Sequence, residues 1–354
     1  MPERRPVAAE DLGSLTIVGA GRAGTSLALA LASRPGAGVV HVICRNDARR
    51  AELQRWCAQL PLQVLATPSP GALAVPLVIF ATADRDLHAA AATWQAALPP
   101  RGATPLGAGA LGAGALRAGP RSTGPSDRPS QTWLHLSGVA DPGVLRVTGH
   151  VGAIGSCHPL AAIPDPLDAV LRGQKPPISA AAQLAMAARA ARPLRGAFFA
   201  LAGDPDAITQ ARRVALSVQG DPHVVAVASR AAYHGAASVV ANDLVALLAI
   251  GERLCQQAGL PVAAARPALL HLARTALDAV ETASAAPHAS LAQGLTGAVG
   301  RGDADTLVAH LHALAETPDA AEAHRRLSRV LLALVGSAGG LDPERVEAVR
   351  QALD

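Results

Sequence analysis

Ser14-Leu15-Thr16-Ile17-Val18-Gly19-Ala20-Gly21-Arg22-Ala23-Gly24-Thr25-Ser26-Leu27 is the stretch that decides the fold. A short, β-branched apolar run enters a glycine-rich turn. An alanine- and leucine-rich segment follows with the composition of a helix. Strand, turn and helix in that order, with glycines at 19, 21 and 24, fit the spacing of a dinucleotide-binding turn. The first glycine permits the tight turn. The second lets backbone approach a pyrophosphate, and the third lets helix pack on strand. The anion would sit on the free N–H groups of Arg22, Ala23 and Gly24, where the helix dipole also favours negative charge.

The bulk numbers are consistent with that reading. A chain of 354 residues has room for two domains with buried cores. Half the residues are apolar but only 2% are aromatic, so the core must be built from Leu, Val, Ile and Ala. The net charge is +4, and Lys175 is the only lysine. The arginines are scattered, with no basic run and no aromatic-studded groove, which argues against nucleic-acid binding. The four cysteines are far apart and show no metal-ligand spacing. No signal-peptide pattern and no uncharged apolar run of spanning length is visible, so the expectation is a cytoplasmic protein without a membrane partner.

Outward from the turn, Gly38 to Ile43 reads as the second strand. It ends Ile43-Cys44-Arg45-Asn46, with no acid at the place that meets the adenosine ribose. An acid there would favour NAD, whereas an arginine pairs with a 2′-phosphate. Arg45 therefore points to NADP, with NAD still open. Arg49 to Leu60 reads as a helix. Pro76 to Thr82 reads as a buried parallel strand, and Thr82 and Ala83 at its end are expected beside the nicotinamide. Asp84 is expected to cap the next helix. Residues 99–131 form a low-complexity insert, read as a loop.

Two further strands end in histidine: Thr132 to Gly138, with His135 and Ser137, and a segment carrying Ser156-Cys157-His158. Residues 167–195 read as a linker with one helix. Gly196 to Asp204 reads as the last strand, and Pro205 to Val218 as a helix capped by Asp204. From Ala226 the chain turns helical. The apolar run Ala228 to Ala258 is expected to be buried on most sides. His234, Ser238 and Asn242, spaced four apart, share one face of it.

Together these residues resemble the Rossmann-like proteins that carry a C-terminal domain of unknown function 2520. Those are relatives of pyrroline-5-carboxylate reductase and of the 6-phosphogluconate dehydrogenase superfamily. The resemblance rests on Gly19 to Gly24, His135-Leu136-Ser137-Gly138, Ser156 to Leu160, Tyr233-His234 through Asn242, and Leu295 to Asp303. It implies an α/β fold, with a mostly parallel Rossmann-type sheet in residues 1–203 and an all-helical domain in 204–354. The helical domain is expected to make a homodimer.

The function expected from residues and resemblance is an NADP-dependent oxidoreductase. A hydride would pass between nicotinamide and a small carbonyl, imine or alcohol held between the domains. His234, Asn242, Ser238 and His158 are the catalytic candidates. Gly19, Gly21, Arg22, Ala23, Gly24, Arg45, Thr82, Ala83, His135 and Ser137 are the cofactor candidates, and no metal is expected. A non-catalytic NADP sensor or scaffold is the alternative. The helical half has no lysine, and Tyr233 is followed by Ala237, so two common lysine-dependent chemistries are disfavoured.

Overall fold

A computed structural model describes residues 12–99, 130–171, 175–285 and 289–354. Nearly all of the 99–131 insert lies outside the described residues.

The first compact unit ends at Ser238. Its strands are β1 (Leu15–Val18), β2 (Val40–Ile43), β3 (Leu62–Leu65), β4 (Leu77–Phe80), β5 (Thr132–His135), β6 (Ile154–Leu160), β7 (Phe198–Gly203) and β8 (Asp221–Val224). They form one sheet in the order β3-β2-β1-β4-β5-β6-β7-β8. Every pairing is parallel except β6 with β7. The first six strands thus stand in the doubly wound order of dinucleotide-binding folds, with the reversal of winding between β1 and β4.

The helices α1 (Arg22–Ala32), α2 (Asp47–Trp56), α3 (Pro70–Leu73), α4 (Leu87–Ala97), α5 (Pro166–Leu171), α6 (Ala180–Ala190) and α7 (Pro205–Ser217) accompany it. Side-chain alternation along the strands explains the layering. Ile17, Val42, Ile79 and Leu134 face a core shared with Leu27 and Leu31 of α1, Ala187 of α6 and Val214 of α7. Val78, Phe80 and Trp133 face the opposite way, onto Leu87 and Trp94 of α4. Strands buried on both faces read as unbroken apolar runs, which is why 77–80 was legible.

Four expectations change. The strand at 198–203 is not the last, because β8 extends the sheet and α7 packs beneath it. The first unit therefore runs to Ser238 and not to residue 203. The stretch 167–195 is not a linker: Met186, Ala187 and Ala190 of α6 are buried in the first unit's core. Neither aspartate caps as expected. Asp84 lies inside a 3₁₀ turn, Asp84–Asp86. Asp204 occupies the N-cap position of α7, but its Oδ2 accepts the Ile154 N–H at 2.9 Å, tying the helix start to β6.

Helix α8 (Arg230–Gln257) crosses from the first unit into the second. The second unit, Val239–Asp354, also holds α9 (Val262–Ala283), α10 (Ala298–Arg301), α11 (Ala304–Ala313), α12 (Pro318–Ser337) and α13 (Pro343–Leu353). Its small core gathers Val299, Leu307, Leu332, Val349 and Leu353. The expectation that the apolar run 228–258 is buried fails: among the α8 residues only Arg230 is buried. Val239, Val240, Leu244, Val245 and Leu247 of this helix are exposed.

Candidate active site

The glycine turn opens a cleft of about 640 Å³ at the C-terminal edge of the sheet. Gly19, Gly21, Arg45, Thr82 and Ala83 line it, as the sequence placed them. The three glycines differ in what they do. Gly19 has φ +115°, and a Cβ there would lie 2.6 Å from Ala81 O. A Cβ on Gly24 would lie 2.2 Å from Gly19 O. Both are demanded by the protein's own packing. A Cβ on Gly21 would meet nothing closer than Ala81 O at 4.0 Å. The protein's own packing does not demand glycine at 21, where a Cβ position faces open space at the cleft.

Helix α1 starts at Gly21 with no side-chain cap and no acid in its first turn. Its leading N–H groups are therefore available to an anion, and the dipole adds to their pull. Ala23 and Gly24 contribute backbone only, and the Arg22 side chain is exposed. At the far end of the cleft, Thr82 Oγ1 is buried without a hydrogen-bond partner. These features fit a dinucleotide: a backbone cradle for the pyrophosphate and a spare hydroxyl for the amide end.

Arg45 is exposed at the rim, at the end of β2. Arg49, on α2, also lines the cleft and was not assigned from sequence. It donates from Nε to Ala20 O at 3.3 Å and pairs with Asp165 at 2.9 Å. Arg49 therefore braces the glycine turn, leaving Arg45 as the less committed cation.

Beyond β5 and β6 lies a second constellation, wholly within the first unit. His158 Nδ1 and the Tyr233 hydroxyl are hydrogen-bonded at 3.0 Å. The His158 and His234 rings meet edge to face, with centroids 5.6 Å apart. Gly138 stands between them, and a Cβ there would lie 2.4 Å from His234 Nδ1 and 2.9 Å from His158 Nε2. His234 Nδ1 is buried without a partner. Burial, then the neighbouring His234 and Arg230, pushes His158 down to about 4. Burial also pushes the Tyr233 phenol up to about 12. Both groups are uncharged at neutral pH.

His135 and Ser137 do not line the nucleotide cleft. His135 is fully buried, and its Nδ1 accepts the Ser137 N–H at 3.1 Å. Burial pushes it down to about 3. The Ser137 hydroxyl accepts the N–H groups of Val139 and Ala140. The two residues shape the turn that carries Gly138. Ser238 ends the first unit, and Asn242 belongs to the second. Arg230 is a residue that sequence reasoning missed. The available signal was a lone arginine opening an otherwise apolar helix. Among the described residues no group of three His, Cys, Asp or Glu side chains is placed to hold a metal ion.

The architecture defines a Rossmann-type sheet unit followed by a helical unit. Residues 197–331 match the family model described as a domain of unknown function (DUF2520), a match that begins on β7. No curated protein matches the chain. Protein TM1727 from Thermotoga maritima superimposes with a TM-score of 0.58 at 17% identity, over 92% of this chain and 99% of that one. A candidate NADP oxidoreductase from Bacteroides fragilis, BF3122, gives 0.59 at 18% identity, over 92% and 99%. The 1-pyrroline-5-carboxylate reductase of Streptococcus pyogenes gives 0.51 at 14% identity, over 90% and 97%. Residues 197–331 are thus similar to the DUF2520 domain, and the chain shares the fold of these solved structures.

Proposed function

We propose that the chain is an NADP-dependent oxidoreductase acting on a small carbonyl, imine or alcohol. The observation that carries this reading is the cleft at the glycine turn, where Gly21 leaves room that no protein atom uses. The fold neighbours with named activities are oxidoreductases, and one is named for reducing a cyclic imine, a pyrroline. When bound, NADPH would supply a hydride from its nicotinamide carbon to a carbonyl or imine, and NADP⁺ would accept one from an alcohol. Arg45 would pair with the 2′-phosphate, the N-terminus of α1 would hold the pyrophosphate, and Thr82 would orient the amide.

The chain's own groups then handle the proton. Reduction of a C=O or C=N bond adds a hydride to carbon and a proton to oxygen or nitrogen. His234, whose Nδ1 is buried without a partner beside Gly138, is the donor in this reading. In the tautomer where Tyr233 donates to His158 Nδ1, the His158 Nε2–H beside Gly138 would hold the substrate heteroatom. Ser238, one helical turn beyond His234, is assigned to orienting the substrate. Two chains would pair through the apolar face of α8 and α9.

Fluorescence titration tests the cofactor. NADPH is expected to bind more tightly than NADH, and Arg45→Ala to narrow the gap. Equal affinities in the parent protein would overturn the reading of Arg45. A screen of imines, ketones and alcohols against NADPH oxidation and NADP⁺ reduction tests the chemistry. His234→Ala is expected to keep nucleotide binding and lose turnover. Nucleotide binding with no turnover on any class would favour the sensor.

A further inference from the structure

Arg230 is 1% exposed, yet no carboxylate lies within ion-pair distance of it among the described residues. Its guanidinium is spent on neutral acceptors. Nε donates to Ala140 O at 3.0 Å and Nη1 to Ser156 Oγ at 2.8 Å, while Nη2 donates to Ser137 O. Those acceptors belong to the turn after β5 and to β6. One side chain at the first position of α8 therefore ties three elements together. The histidine pair is built from the same pieces: Gly138 lies in that turn, His158 is two residues from Ser156, and His234 is one helical turn from Arg230.

We propose that Arg230 is a positioning residue for the His158–His234 pair, its fork of donors pinning the Gly138 turn between β6 and the start of α8. The proposal rests on the oxidoreductase reading only for the use made of the pair, not for its geometry. A buried cation normally has an ionic partner, because desolvation is costly. Keeping one with only neutral acceptors makes sense where its field is useful. Around it stand His135 at the end of β5, His158 on β6, Tyr233 and His234 on α8, Asp141 in the turn and Asp84 after β4. The two carboxylates act on Arg230 through space, against the effect of its burial. Its charge bears on His135 and His158 in the same direction as their burial, toward the neutral form. A lysine could supply charge but not three divergent donors.

The test is a histidine NMR titration of the full chain, with the His158 ring signal assigned by its loss in His158→Gln. In the parent the His158 midpoint is expected near 4. In Arg230→Gln it should rise by about one unit or more, since both the field and the pinning are gone. In Arg230→Lys a rise of about half a unit is expected, because a point charge cannot hold all three acceptors. An unchanged midpoint in a folded Gln variant overturns the proposal. If the Gln variant does not fold, the Lys variant decides alone, by the same criterion. NADPH titration of the same samples separates the two readings. Arg230 does not line the nucleotide cleft, so affinity should stay within about twofold of the parent. Absence of NADPH binding in every sample would count against the oxidoreductase and leave the histidine result standing.

Discussion

At the scale of single residues, the glycines at 19, 21 and 24 carry three different constraints. Gly19→Ala and Gly24→Ala force a methyl group into backbone at 2.6 and 2.2 Å, so each should lower stability by on the order of 2–4 kcal/mol. Gly21→Ala meets no protein atom within 4.0 Å and keeps an ordinary extended φ of −70°. It should cost at most about 1 kcal/mol, the difference between Gly and Ala at an N-cap, yet abolish nucleotide binding. Urea denaturation beside NADPH titration separates the two effects. A Gly21→Ala protein that binds NADPH normally would remove the cleft from the argument. Both the glycine spacing and the three separate roles were legible in the sequence; the fold adds the distances to Ala81 and Gly19 that make two of them packing constraints.

Protonation belongs to the same scale. His135 and His158 are held neutral, down to about 3 and about 4 from an ordinary 6.5. The unfolded chain takes up both protons as pH falls below 6.5, and the folded chain does not. Stability is therefore complete above about pH 7 and falls with acidification. Each histidine contributes about 1.4 kcal/mol per pH unit until its folded midpoint is reached. Denaturation midpoints at pH 7 and pH 5 should differ in that direction. His135→Asn, which keeps an acceptor near the Ser137 N–H, should flatten the dependence. A midpoint independent of pH between 7 and 5 would contradict the buried neutral state of both rings.

At the scale of elements, legibility followed burial. Leu77–Phe80 was plain because an apolar run in a doubly covered strand has no other reading. Strand β8, Asp221-Pro222-His223-Val224, was missed because it is polar, short and contains proline. An edge strand tolerates proline, since one side of it has no ladder to complete. Helix α6 was legible as a helix, but its burial was not, because alanine is weak evidence for either surface or core. Asp204 shows how the far end of the sheet is fastened. Its carboxylate leaves its own helix uncapped in order to accept the Ile154 N–H. Asp204→Ala strands that buried donor, and should cost about 1–3 kcal/mol by chemical denaturation. Asp204→Asn keeps an acceptor and should recover most of it. Equal losses in the two variants would mean that charge, not the hydrogen bond, is what matters there.

At the scale of the molecule, the second unit poses a problem that a single chain does not solve. On α8, Val239, Val240 and Val245 are more than 60% exposed, and Leu272 on α9 is 63% exposed. Soluble chains rarely leave so much apolar surface contiguous. The stretch Val227–Gln257 has the length and mean hydropathy, 1.4, of a membrane span. Its interior argues otherwise. Asn242 and Asp243 fall near its middle, and a carboxylate at the centre of a bilayer costs about 2.5–3.5 kcal/mol even on the lenient scale. Arg230, the first residue of α8, is built into the sheet unit. A second copy of the chain fits better, because a two-fold axis lets one self-complementary helix face cover itself. A helix of 28 residues is about 42 Å long, enough for an interface of obligate size. Light scattering after size exclusion should therefore report two 35.7 kDa chains per particle at micromolar concentration. Paired Val240→Glu and Val245→Glu substitutions should shift it to one, leaving NADPH affinity within about twofold because the glycine cleft lies in the other unit. A parent protein that is monomeric at tens of micromolar, without detergent or lipid, would sink the homodimer. Recovery of the parent only with detergent or lipid would favour the membrane instead.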